Sequence, residues 1–150
     1  MNTIDLLTAT RTNILKLCGG LTDEQLNQIP VGFNNNLIWN AGHVIATMES
    51  LVYGLGRQQP PSGKDFINRY RKGSKPEVPA SEAEIQEIFT LLKTSVKKLE
   101  ADLGVLDFSN YKEYPTSYGV TLRSVEDALT FNNMHEAMHV GAIIALKKFV

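Results

Sequence analysis

The side chains with the clearest capacity for chemistry in this sequence are its three histidines, His43, His135 and His139. His135 and His139 are four positions apart, which on an α-helix is about 40° of rotation and one turn of rise. Both imidazoles can then reach one ion from the same face. Val125, Ala128, Ala142 and Leu146 fall on or near that line, so the pair is expected to point into a core. His43 sits beside an apolar stripe of its own, formed by Leu37, Ala41, Val44, Met48 and Leu51. Burying imidazoles costs free energy unless their nitrogens find partners, and a divalent metal would satisfy all three. Three neutral nitrogens at about 2.0–2.1 Å leave a coordination position open for water or substrate, as in catalytic rather than structural zinc sites. The plain alternative is a set of core histidines bonded to backbone carbonyls. The placing of every histidine of the chain on an inward helix face weighs against it.

A sharper rival comes from His135-Glu136-Ala137-Met138-His139, which matches H-E-x-x-H, the zinc-protease helix with Glu as general base. The third ligand of such enzymes usually lies downstream, and the residues after His139 include no His, Asp or Glu. Nor is there a strand pattern to hold a peptide. Glu136, about 100° around the helix from His135, is expected to be a solvated carboxylate or one placed behind the ligands. Asn132 and Asn40, three residues before His135 and His43, are candidates to line the cavity or orient a ligand. Arg11 is expected to snorkel to solvent, Trp39 to pack in the core, and Cys18 to be structural. Tyr111, Tyr114 and Tyr118 form either a lid or packing on the end of the fold. The basic residues from Lys64 to Lys75 look like a solvated loop.

The elements that must position these groups are helices. The first pattern runs from about Thr3 to Cys18 and stops at Gly19-Gly20, suited to a helix end. A short turn follows Thr22, where TDEQ forms a capping box. The second long helix starts after Asn34-Asn35-Asn36, whose side chains can cap it, and stops near Gly54 or Gly56. The third starts at Ser81 with Glu84 as a second capping box. Its stripe of Ile85, Ile88, Phe89, Leu92, Val96, Leu99 and Leu103 is the clearest in the chain. The fourth begins near Thr121 or Ser124 and runs to the C-terminus. Between the second and third lie about 25 residues, with one turn of helix expected around Asp65–Arg71, far beyond the roughly 2–8 typical of antiparallel neighbours. A segment that long can cross a whole bundle, so helices two and three are expected to run parallel. The connection from Gly104 to Val120 carries four aromatics, and YKEYPTSYGVT could hold a short hairpin.

Length and composition set the frame. With 150 residues, 43% hydrophobic, 21% charged and a net charge of −1, the chain reads as one soluble domain, residues 1–150. The charge balance gives no reason to expect nucleic acid or an anionic membrane as partner. No stretch approaches the roughly 18–20 apolar residues that span a bilayer. The N-terminus lacks a signal-peptide pattern, and the single cysteine excludes an intrachain disulfide. Cytoplasm is the expected location.

The segments LIWNAGHVIATMESLVYGLG and FNNMHEAMHVGAII resemble the DinB/YfiT-like superfamily, with Trp39 and Gly42 before His43 and Gly141 after His139 matching the pattern. Many members carry Gln after that last glycine, where this chain has Ala142. The resemblance covers nearly the whole chain. It implies an all-α four-helix bundle of up-down-down-up topology with a long crossover between helices two and three. It implies one divalent metal, zinc, nickel or iron, on His43, His135 and His139. It further implies a small-molecule substrate, with low-molecular-weight thiols as cosubstrates of characterised S-transferase relatives, and homodimers are common among such bundles. A metal-dependent transferase or hydrolase is therefore the leading expectation. The other is a non-catalytic metal- or ligand-binding or dimerisation bundle.

Overall fold

The computed structural model describes residues 2–150. Helix α1 spans Thr3–Cys18 and opens on Asn2, whose side chain accepts from the Ile4 and Asp5 amides while the Asp5 carboxylate returns to the Asn2 amide. The Thr22/Gln25 capping box forms as the sequence expects and starts the short α2, Asp23–Asn27. Asn36 caps α3, Leu37–Glu49, by accepting from the Trp39 amide. Such a cap contributes about 1 kcal/mol.

Beyond Glu49 the chain does not stop. It widens into a π-helical turn, Ser50–Gly54. A short helix, α4 (Gly63–Tyr70), lies within the long connection, somewhat more helix than the turn expected there. α5 spans Glu82–Leu103 and α6 spans Val125–Leu146, capped by Ser81 and Ser124. Tyr114–Pro115 (β1) and Thr121–Leu122 (β2) pair antiparallel as the expected small hairpin.

One detail of the capping expectation is corrected. Ser81 does accept from the Glu84 amide, but the Glu84 carboxylate does not return to the cap. It takes the Tyr70 hydroxyl and the Arg69 guanidinium instead. Two charge-assisted or phenolic donors outcompete one exposed amide, and the exchange pins α4 to α5.

α1 packs on α5 and α6, and α3 packs on the same two helices. Asn133 Nδ2 donates to the Thr3 carbonyl and Lys147 Nζ to the Leu17 carbonyl, so α1 and α6 run in the same direction. One apolar cluster gathers Ile14, Leu37, Ile45, Ile85, Ile88 and Ile143. A second gathers Leu7, Met48, Val96, Leu99, Val125 and Leu129. The histidines lie at a level between them. No helix among the described residues is long and apolar enough to cross a membrane.

Candidate metal centre

α3 supplies His43 and α6 supplies His135 and His139. The three ring centroids are 4.6 to 5.2 Å apart, and one potential ligand atom from each residue lies within 4.8 Å of the others. That spread is slightly more than the roughly 4 Å that two nitrogens can have across one shared ion. His43 and His135 are buried and His139 is half-buried.

What surrounds His43 explains the residues that precede it. Trp39, one turn back, stacks on the imidazole at 4.6 Å and 12°, and its indole N–H donates to Ser74. It is core packing, as expected, and also a wall that fixes the ring. A Cβ on Gly42 would meet the Tyr70 ring at 2.5 Å, so only glycine lets α4 come this close. The approach brings the Tyr70 carbonyl to 2.6 Å from His43 Nδ1. A carbonyl only accepts, so Nδ1 carries the proton and Nε2 is the acceptor. Thr47 donates its hydroxyl to that nitrogen at 3.3 Å. Gly141 has open space around it, and nothing in the structure explains a glycine there.

His139 is fixed in the same way by a residue of the other helix. Asn40 Nδ2 donates to the Asn36 carbonyl and to Asn35 Oδ1, which leaves Asn40 Oδ1 to accept from His139 Nδ1 at 2.8 Å. Asn40 thus orients a histidine 99 positions away rather than the one in its own helix. His139 Nε2 is the free nitrogen. His135 Nδ1 is buried without a partner, an omission that ordinarily costs about 1–3 kcal/mol.

Burial pushes the His135 imidazole down to about 3, with His139 and His43 adding to the effect. Burial, then His43, pushes His139 down to about 4. Burial also lowers His43, against the opposing hydrogen bond to Tyr70. All three rings are therefore neutral at physiological pH, the state in which imidazole ligates metal. Unprotonated Nε2 atoms on two rings, an unpartnered nitrogen on the third and hydrogen bonds behind the imidazoles fit a metal ion well.

Arg11 and Glu136 depart from their expected roles. Arg11 does not snorkel. It is 2% exposed, and its Nε and one terminal nitrogen grip both oxygens of Glu136, 0% exposed, at 2.6 and 2.7 Å. The guanidinium also donates to the Val44 carbonyl and approaches Ser95. Glu136 is therefore not solvated, and with Asn132 Nδ2 also donating to it it is fully engaged. A protease-type base role for this carboxylate has no support. Asn132 is buried and bonds Glu136, with no hydrogen bond to a histidine, and its Oδ1 is unpartnered.

Beside the histidines opens a pocket of about 480 Å3. Thr47, Ser50 and Leu51 line one side, the last two from the π-helical turn, a feature frequent at functional sites. Phe131, Met138 and the two α6 histidines line the other. The aromatic loop divides its labour: Tyr114 and Tyr118 border the pocket, whereas Tyr111 packs on the bundle and donates to the Leu51 carbonyl. The expected solvated basic loop is corrected in part. Arg69 bridges Glu84, and Arg71 and Lys72 reach the pocket. Their sequence context, a hydrophilic run between helices, carried no signal for this. Cys18 is buried, and desolvation raises its thiol to about 11, which fits the structural role expected of it.

No curated protein matches the chain. Residues 6–143 match the DinB superfamily, nearly the whole of the sequence including all three histidines, and the chain belongs to the DinB superfamily.

Proposed function

We propose that this protein is a divalent-metal-dependent enzyme whose ligands are His43, His135 and His139. One observation carries the reading: three neutral imidazoles from two helices converge on one point beside a pocket large enough for a small molecule. A bound zinc, nickel or ferrous ion with an open position would stabilise a thiolate or hydroxide at neutral pH and so supply the nucleophile. The chain's own residues do the rest. Tyr70 and Asn40 hold His43 and His139 in the tautomers that present Nε2. Thr47, beside His43 Nε2, is placed to hydrogen-bond a small nucleophile. Leu51, Phe131 and Met138 give the pocket an apolar lining. Thiol transfer to a small electrophile and hydrolysis both suit this arrangement.

The scaffold in this reading is one domain, a four-helix bundle of up-down-down-up topology. The parallel course of α1 and α6 supports it, as does the Tyr53–Asp102 bond joining the π-helical turn that continues α3 to the far end of α5. A cytoplasmic setting remains part of the reading.

A second reading, a non-catalytic dimerisation or binding bundle, draws on one feature. Met134 and Met138, each about half-exposed, lie one turn apart on α6 on the same face as Gly141. Such a stripe suits a homodimer contact. Metal titration followed by thiol-transfer and hydrolysis assays on wild type and His139→Ala separates the two. An enzyme loses metal and turnover in the variant. A binding bundle shows no metal-dependent turnover in either protein and keeps its oligomeric state.

A further inference from the structure

We propose that the pocket beside the histidines is built for an organic anion, with a carboxylate or phosphate head held by Arg71 and Lys72 and an apolar body lying on Leu51, Phe131 and Met138. The charge inventory carries it. The pocket lining contains two cations and no Asp or Glu. Three cations outside the pocket lining are paired with carboxylates, Arg11 with Glu136, Arg69 with Glu84 and Lys98 with Asp102. Among the described residues Arg71 and Lys72 have no carboxylate partner, and Lys72 has only the Ser117 hydroxyl at 3.2 Å. Unmatched cations at the mouth of a concave, largely apolar wall focus a positive potential into it.

The proposal names the substrate class of the site and rests in part on the metal reading, which strengthens it. Three neutral imidazoles would leave the full charge of a divalent ion uncompensated. One anionic nucleophile would balance half of it, and the rim charges would still call for an anion. The guanidinium fork of Arg71 suits the paired oxygens of a carboxylate or phosphate. A volume of about 480 Å3 accommodates a small molecule with an apolar portion.

The test uses octanoate, octyl phosphate, 1-octanol and octylamine, titrated calorimetrically into the metal-free protein at low ionic strength. At least one anion should bind tenfold or more tighter than octanol, a margin set by one charge-assisted contact, with octylamine weakest. The preference should fade at high salt and collapse in Arg71→Ala/Lys72→Ala, both sites being exposed. The two anions identify which head group is favoured. Octanol binding as tightly as both anions, no binding of any probe, or an anion preference that survives the double substitution would overturn the proposal. The ranking in wild type stands without any variant. Zinc titration of the same samples separates this idea from the metal reading. Anion preference without zinc uptake removes the metal and keeps the proposal, and zinc uptake without anion preference does the reverse.

Discussion

At the scale of residues, the proposed metal centre depends on hydrogen bonds behind the imidazoles as much as on the imidazoles themselves. Asn40→Ala removes the acceptor that holds His139 Nδ1–H. We expect metal affinity to fall roughly 10–100-fold with the helical content unchanged, the usual effect of losing such a partner; competition with a chromophoric chelator measures it. Unchanged affinity would show that Asn40 does not set the ring. The histidines were legible in sequence because a four-residue spacing and apolar flanks suffice to place two rings on one inward face. The link from Asn40 to His139 was not, because it joins helices that meet only in the fold. Arg11 and Glu136 escaped for the same reason. A lone charge within a helical pattern reads as solvent-facing, and only their pairing across 125 positions makes burial tolerable.

At the scale of elements, the approach of α4 to α3 is what fixes the ring and tautomer of His43. Gly42→Ala gains helix propensity of about 1 kcal/mol but drives a methyl into the Tyr70 ring, and overpacking typically costs 1–3 kcal/mol. The net change should be a loss of stability, together with weaker metal binding as the Tyr70 carbonyl withdraws from Nδ1. Chemical denaturation and metal titration of one variant check both, and a stabilised variant with intact affinity would contradict the contact. The caps explain why the starts of α2, α3 and α5 could be read in advance: Thr22, Asn36 and Ser81 satisfy free amides locally. The widening at Ser50–Gly54 and the turn of Arg71 and Lys72 toward the pocket had no such local signature, because both answer to packing from distant segments.

At the scale of the whole molecule, one buried ion pair and three neutral histidines tie stability to composition and pH. Glu136→Ala leaves the Arg11 guanidinium buried without its partner, a change worth about 3–5 kcal/mol. Replacing both residues by apolar ones of similar volume should recover much of that, as urea denaturation of the single and double variants will show. For the metal-free protein the folded His135 and His139 values lie near 3 and 4, below the ordinary 6.5. The unfolded chain therefore binds more protons as pH falls below about 6.5, and stability, complete above that value, must decline on acidification. Glu49, raised by burial, acts in the opposite sense nearer its own range, so the comparison is best made between pH 7.5 and 5.5. A higher urea midpoint at pH 5.5 would contradict neutral, buried rings.

The most direct test is the metal content of the purified protein after zinc, nickel or ferrous titration, measured alongside the His43→Ala/His135→Ala/His139→Ala variant. One tightly held ion per wild-type chain and none in the variant is the expected result. Wild-type protein that takes up no metal, or a variant that binds it equally well, would contradict a three-histidine centre.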